Sequence, residues 1–449
     1  MRPIRQIGLA LSAWGLFAAA PAAGQSDAES ARSEFEAAAG AHRENVRRLG
    51  VTRALSSPIR SERLLPGGEA ASSTPTLANV TRWIQSRVTE GAFPADTYVL
   101  FYAHREGRLS AWLIGADGIA GSAGRTLSQE ALAETISNLM GALDITERQL
   151  TRAARPIEEA PPTLSAPSAM SPETANARLS STLFPDAILA GLRRVRHLVV
   201  VPTGEIGIVP FNALNPFGDG TQVVDHFSVS IAPSLQALSK PASAWNPSRA
   251  FAAPLVVGDP RLPPSSGWLV PPLTGAQAEA REVGAFLNST PLLAELATRG
   301  VVLERAGSAS LLYLATHGTA NPIDPVGGGF LMLGAQTFEQ GWWTARDIQA
   351  STMTAQLAVL SACQTGLGKS HEGGMIGLAR AFQLAGVPRV VMSLWNVDDS
   401  ATRHLMTRFI RYAAEHRPAE ALRRAMRDTR AEYPHPAYWS SFLLFGEAS

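Results

Sequence analysis

Residues 357–366 read Leu-Ala-Val-Leu-Ser-Ala-Cys-Gln-Thr-Gly, an apolar run that ends in the only cysteine of this 449-residue chain. A second apolar run, residues 311–315, is followed by the triplet Thr-His-Gly at 316–318. Both runs have the length and composition of buried strands. Because functional residues collect at the carboxyl ends of parallel strands, Cys363 and His317 are predicted to share one sheet edge. A cysteine with a distant histidine partner is a candidate nucleophile and its proton-transfer group.

The rest of the chain alternates short β-rich runs with helical patterns, which predicts an α/β fold. Helices are expected at Thr274 to Leu287 and Ala401 to Ala414. This alternation favours a mostly parallel sheet with helices on both faces. Further strands are predicted at Arg196 to Val201, Phe227 to Ile231, Leu255 to Val257 and Val390 to Leu394.

The region before these strands predicts mixed local structure. Thr76 to Val88 places its apolar residues on one helical face. Two β-rich runs, Tyr98 to Ala103 and Leu109 to Ile114, flank the turn Arg105-Glu106-Gly107 and predict a hairpin. Residues 25–75 are expected to form an exposed helical and linker segment. Ala154 to Pro185 is rich in Pro, Ser and Ala and predicts a mobile connection, either a processing site or an ordinary surface loop.

Residues 1–24 predict an export signal. Arg2 and Arg5 precede an apolar run from Ile7 to Ala20 and a small-residue stretch. The expected location is therefore periplasmic or extracellular, with an uncleaved N-terminal anchor as the alternative. An unpaired thiol is a liability in an oxidising compartment, so export favours a functional role for Cys363. The 39 basic and 38 acidic residues give no electrostatic footprint for nucleic acid.

Four ordered sequence blocks resemble the CHAT family of caspase-like cysteine peptidases, relatives of separase, caspases and gingipains. The blocks are LYLATHG, LAVLSACQTGLG, GLARAFQLAGVPRVVMSLWNVDD and HPAYWSSFLLFG, all between Leu311 and Gly446. Weaker similarity extends back through LVVVPTGEIGIVPFNAL, IAPSLQAL, VVGDP and PLTGAQAEA. The resemblance implies a caspase-like domain over residues 76–449, with a degenerate half at 76–250 and a catalytic half at 251–449. Relatives often carry tetratricopeptide repeats, but this chain shows no 34-residue period.

Each residue of the predicted site has a chemical role. A thiol with an ordinary pKa of about 8.5 is mostly protonated at neutral pH, and a protonated His317 facing Cys363 would lower that pKa. The same imidazole would protonate the leaving amine. The N–H groups of Gly318 and Cys363 would form an oxyanion hole, each donor contributing roughly 2.7 to 4 kcal/mol. His371 is a less favoured alternative base; Asn321, Asp324 and Glu372 are candidate third members, and Gln364 stands where many relatives carry Glu.

The stretch from Trp395 to Asp399 resembles a separase segment that lines the pocket for the residue before the cut. The resemblance implies that Asp399, or Asp398, pairs with a basic substrate residue, an arrangement that suits a bidentate guanidinium contact. The alternative is that Asp399 or Ser400 caps the helix predicted at Ala401 to Ala414. Ser361 occupies a position where some relatives place another pocket carboxylate, and its hydroxyl carries no charge.

Two other functions stay open at this point: a non-catalytic CHAT module that binds a protein partner, and a redox or acyl-transfer role for Cys363. No GxSxG, CxxC, P-loop or HExxH motif occurs. The sequence therefore predicts neither a cofactor nor a metal site. The family resemblance implies a protein or peptide as substrate. It gives no oligomeric state.

Overall fold

The structure, a computed structural model, describes residues 23–54, 75–145, 155–156, 170–239, 244–263, 268–269, 272–319, 329–362, 370–371, 374–375, 377–395 and 398–446. Among these residues, no helix combines the length and the hydropathy that a membrane span requires. Most of the predicted export signal lies outside the described residues. So do Cys363 and Gln364, and the three candidate third members Asn321, Asp324 and Glu372.

One large sheet of eleven strands organises the chain, in the order β3-β2-β1-β5-β6-β18-β17-β14-β10-β7-β9. The described residues also form three smaller sheets. One contains β11, β12 and β13, the second pairs β15 with β16, and the third pairs β4 with β8. The strands are β1 Thr97–Arg105, β2 Arg108–Gly115, β3 Gly118–Thr126, β4 Arg155–Pro156, β5 His197–Val201, β6 Ser228–Ile231, β7 Pro254–Gly258, β8 Trp268–Leu269, β9 Leu292–Leu293, β10 Leu311–Thr316, β11 Gly318–Thr319, β12 Phe330–Met332, β13 Trp342–Thr344, β14 Leu357–Ala362, β15 Ser370–His371, β16 Gly374–Met375, β17 Arg389–Ser393 and β18 Phe442–Gly446.

Nine strands of the large sheet form two parallel groups that run in opposite directions, and β2 and β3 extend the sheet beyond β1 by antiparallel pairing. Strands β1, β5, β6 and β18 are parallel to one another, and β17, β14, β10, β7 and β9 form the second parallel group. Strand β18 meets β17 antiparallel, so the carboxyl ends of the two groups lie at opposite edges of the sheet. The predicted mostly parallel α/β sheet is confirmed, and it contains all eight predicted strands, β1, β2, β5, β6, β7, β10, β14 and β17.

Helices flank this sheet and supply most crossover connections. The predicted helices at Thr274 and Ala401 are both present, and Thr76 caps the helix that follows it, as its side chain accepts from Asn79 N. The α-helices span Ala23–Ala54, Leu77–Thr89, Gln129–Ala142, Pro172–Leu183, Asp186–Leu192, Val223–His226, Pro247–Ala250, Thr274–Phe286, Arg299–Ala306, Ala345–Ala350, Leu378–Ala385, Asp399–Ala413, Pro418–Glu432 and Pro436–Trp439. Short 3₁₀ segments span Gly204–Ile208, Phe211–Ala213, Leu235–Ser239, Ala294–Leu296 and Glu339–Gly341.

The predicted hairpin is confirmed as β1 and β2, which pair from Val99 with Ile114 to Arg105 with Arg108. The two turn residues, Glu106 and Gly107, have φ values of 51° and 72°. Positive φ at both positions is the backbone of a type I′ turn, whose twist matches that of the flanking strands.

The first helix corrects one expectation. Residues 25–75 were predicted to be exposed, but Phe35 is fully buried. Its ring lies 5.7 Å from that of Phe101 and 6.0 Å from that of Trp112, both edge to face. Phe35 therefore packs on β1 and β2, and this large aromatic side chain attaches the helix to the core.

Part of the predicted mobile connection at Ala154 to Pro185 is helical, and residues 157–169 of it lie outside the described residues. Pro172–Leu183 is helical, with Ser171 as N-cap accepting from Thr174 N and with proline in the first turn. Leu179 and Leu183 are fully buried. Their spacing of four residues places them on one face, so packing overrides the loop-like composition of this stretch.

Candidate active site

In the sequence, the predicted catalytic residues directly follow two neighbouring strands of the second parallel group. Strands β10 and β14 pair in parallel over six residues, and the last pair is Thr316 with Ala362. Every residue of both strands is buried. His317 follows Thr316 directly, and Cys363 follows Ala362 directly in the sequence. Because adjacent strands lie about 4.8 Å apart, β10 and β14 end next to each other at the same edge of the sheet.

His317 is held by the small sheet that follows β10. Its side chain is buried, with 5% of the residue exposed, and its backbone carbonyl accepts a hydrogen bond from Met332 N at 2.9 Å. Gly318 pairs with Leu331 in this sheet. The Thr316 hydroxyl donates to the Met332 carbonyl, so backbone pairing fixes the chain on both sides of the imidazole.

Aromatic packing supports the same small sheet. The rings of Phe330 and Trp342 stack at 4.7 Å between centroids, with an interplanar angle of 10°. Trp343 is buried and contacts Phe382 edge to face at 5.6 Å. Phe382 belongs to the helix between β14 and β17. The packed rings therefore connect the small sheet that holds His317 to the helix that follows β14.

A hydroxyl from the next strand fixes the end of β14. The Ser393 hydroxyl donates to the carbonyl of Ala362, the group bonded to the Cys363 nitrogen. Ser393 ends β17, which pairs with β14 in parallel. The backbone that presents Cys363 is therefore anchored up to the last described residue before it. Cys363 itself lies outside the described residues.

A small pocket opens at these strand ends. It brings together three predicted specificity residues, Ser361, Trp395 and Asp399, with a fourth residue, Glu279, that the sequence reasoning did not single out. His317 is not part of its wall, but Thr316 is. The described residues that line it are Leu273, Ala276, Glu279, Thr316, Ser361, Ala362, Ser393, Trp395, Asp399, Thr402 and Phe442.

The two candidate carboxylates, Asp398 and Asp399, have different positions. Asp398 is the N-cap of helix Asp399–Ala413, because its side chain accepts from Ser400 N at 2.9 Å and Ala401 N at 3.2 Å. Asp399 is the first helical residue and lines the pocket. The capping role expected for Asp399 or Ser400 thus belongs to Asp398, one residue earlier.

Glycine is required beside Asp399. A methyl group added at Gly275 would overlap the Cβ of Asp399 and lie 2.9 Å from its Cγ. The helix Thr274–Phe286 therefore approaches the helix Asp399–Ala413 at a distance that only glycine permits. Trp395, which is fully buried, closes another side of the pocket and donates from Nε1 to the Ala437 carbonyl at 2.9 Å.

A buried aspartate orients the helix that carries Gly275 and Glu279. Asp259 follows β7, and its carboxylate accepts from Leu273 N at 2.8 Å and from Gln277 Nε2 at 2.9 Å. Arg261 pairs with it at 3.1 Å. Since these partners satisfy the carboxylate, Asp259 has a structural role at the start of the helix.

Glu279 has only 1% of its surface exposed. The Tyr313 hydroxyl donates to its Oε1 at 2.7 Å, and Ser361 is a second hydrogen-bond partner. Burial raises the pKa of Glu279 to about 7, and the negative charge of Asp399 adds to the rise. One sequence signal was available: Glu279 lies on the same helical face as Ala276 and Val283, where an apolar residue is expected.

His371, the alternative base, lies in the two-residue strand β15, which pairs with β16. Its side chain is not among the described groups. His317, by contrast, directly follows β10, which pairs with β14.

Comparisons with known proteins give the following similarities. A family model described as CHAT domain matches residues 173–447. Tetratricopeptide repeat protein 28 of Homo sapiens and that of Mus musculus are each 26% identical to the chain over 298 residues, covering 56% of this chain. The chain matches only 12% of the length of either relative.

Solved structures show weaker likeness. A chain of the Saccharomyces cerevisiae separase–securin complex has a TM-score of 0.48 and 12% identity, over 81% of this chain and 30% of that one. The Arg-specific cysteine proteinase gingipain R has a TM-score of 0.39 and 10% identity, over 61% of this chain and 67% of that one.

Proposed function

This chain belongs to the CHAT domain family, and on that premise we propose that it is a cysteine endopeptidase acting on protein or peptide substrates. The observation that carries the proposal is the pairing of Thr316 with Ala362 at the ends of β10 and β14. His317 and Cys363 are the next residues in the sequence after this pair, and we infer from the register that their side chains face each other. A nucleophile and a base supplied by neighbouring strands match the requirement for covalent catalysis.

The proposed reaction begins when His317 takes the proton of the Cys363 thiol. The sulfur then bonds to the carbonyl carbon of the scissile peptide, and the N–H groups of Gly318 and Cys363 stabilise the developing oxyanion. The carbon–nitrogen bond breaks as the imidazolium gives its proton to the departing amine. His317 next activates water, which attacks the thioester and releases the acid and the free thiol.

We infer that the residue before the cut is basic. Asp399 supports this preference because it lines the pocket beside Ala362, whereas Asp398 is engaged as a helix cap. No Lys, Arg or His is present among the described residues that line the pocket. A carboxylate there offers a guanidinium both charge and bidentate geometry.

The test is peptide-library cleavage by the purified protein, with product mass read by mass spectrometry. Cys363→Ala and His317→Ala are expected to abolish cleavage, whereas His371→Ala is expected to keep it. Cleavage that persists in Cys363→Ala would reject the nucleophile. A folded wild type that cleaves no peptide would favour the non-catalytic module.

A further inference from the structure

The helix Thr274–Phe286 places one carboxyl group on top of the two strands that lead to His317 and Cys363. Glu279 contacts Tyr313 of β10 through a 2.7 Å hydrogen bond and Ser361 of β14 through a second one. The side chain is buried, yet it borders the pocket at the strand ends. The carboxyl is therefore shielded from bulk water and belongs to a residue that lines the pocket.

A second carboxyl, that of Asp399, borders the same pocket from the opposite helix. Its negative charge and that of Glu282 both disfavour ionisation of Glu279. Glu282 itself points to the surface, where it pairs with Arg403 at 3.3 Å. Tyr313 is the titratable group that faces Glu279 from β10, and burial raises the pKa of its hydroxyl well above the ordinary value.

Ionisation of Glu279 is costly, because the buried carboxylate is poorly solvated and the charge of Asp399 repels it. Both effects favour the neutral form of Glu279. A guanidinium between the two carboxyls reverses the balance, since it supplies a positive charge and up to five N–H donors. A neutral side chain offers no such compensation, so the arrangement distinguishes substrates by charge.

We propose that Glu279 is a specificity-determining residue that binds the substrate guanidinium together with Asp399, and that it releases its proton when the guanidinium enters. The proposal rests on the peptidase function for the identity of the ligand, an arginine side chain before the scissile bond. Arginine binding then depends on pH, because Glu279 carries its negative charge only after it has lost its proton.

Binding to the Cys363→Ala protein tests this without any turnover. The probe is Nα-acetyl-arginine amide, and its neutral isostere Nα-acetyl-citrulline amide is the ligand control. Calorimetric titration in two buffers of different ionisation enthalpy counts the protons released on binding. At about pH 6.5 a carboxyl with a pKa of about 7 is roughly three-quarters protonated, so we expect release of about half to three-quarters of a proton per arginine ligand, and none for citrulline.

Two variants in the same background separate recognition from structure. Glu279→Gln keeps the amide and carbonyl groups needed for the contacts with Tyr313 and Ser361 but cannot ionise. It should abolish proton release and weaken arginine binding on the order of tenfold or more at about pH 8, with little change at about pH 5.5. Glu282→Gln removes a carboxylate from the same helix outside the pocket, and should bind like the parent protein.

The proposal is overturned if the arginine and citrulline probes bind alike, if the arginine probe does not bind at all, or if Glu279→Gln still releases the proton. A loss of binding that is equal at both pH values, with a lowered melting temperature, would assign Glu279 a structural role instead. If binding behaves as expected while the wild type cleaves no peptide, the peptidase function fails and the pocket assignment stands.

Discussion

Replacing Glu279 by Gln should change how the stability of the protein depends on pH. The folded carboxyl has a pKa of about 7, against 4.5 for the ordinary group, and burial is the main cause. Between these values the folded state holds a proton that the unfolded state has released, so stability contributed by this group is present below about pH 4.5 and is lost as pH rises through about 7. Gln does not titrate and removes this loss.

The size of the effect follows from the shift. A difference of roughly 2.5 pKa units corresponds to about 3 kcal/mol, of which about 2 to 3 kcal/mol falls between pH 5 and pH 8. The assay is urea unfolding of Cys363→Ala protein with and without Glu279→Gln, followed by tryptophan fluorescence at both pH values. The variant should gain that amount of unfolding free energy relative to its parent on going to the higher pH. Parallel pH profiles for the two proteins would refute the assignment of a buried, neutral carboxyl.

Three further predictions concern the candidate site. Single and double alanine variants of Cys363 and His317 should lose similar factors in kcat, because residues that act as a unit are not additive; a double variant much slower than either single one would contradict this. Asp398→Ala should cost about 1 kcal/mol of unfolding free energy through the lost cap, while keeping the ratio of kcat/KM for arginine over leucine substrates; a changed ratio would move the pocket role to Asp398. Gly275→Ala should displace Asp399 and lower that ratio, with the leucine rate as its control, and an unchanged ratio would show that the close approach is dispensable.

Much of the sheet follows from local sequence. The runs that became β10 and β14 are apolar throughout, as expected of parallel strands buried on both faces. Strand β3 gave no such signal because it alternates Gly with small residues. A methyl at Gly121 would collide with the carbonyl of Ala187, so the small residues admit a helix against this strand. That requirement is tertiary and is not visible in the strand itself.

The candidate residues at the ends of strands could be predicted from the sequence. The pocket residues on helices could be predicted less well. The sequence limited the candidates for the pocket carboxylate to Asp398 and Asp399. Which of them caps the helix and which lines the pocket depends on the residue at which the helix begins, and only the structure shows that residue. The position of Glu279 on the apolar face of its helix is visible in the sequence, but its contacts are not. Its burial is decided by packing against Tyr313 and Ser361, which lie far away in the chain. The predicted export of the protein stays a prediction.

The most direct test of the account is covalent labelling of the purified protein with a peptidyl acyloxymethyl ketone, read by intact mass and peptide mapping. The thiolate displaces the acyloxy group, so the label reports both the nucleophile and the pocket. The account predicts one adduct per chain, on Cys363, formed faster by the arginyl than by the leucyl reagent and lost in His317→Ala. A folded protein that stays unlabelled, or one that reacts equally with both reagents and independently of His317, would contradict it.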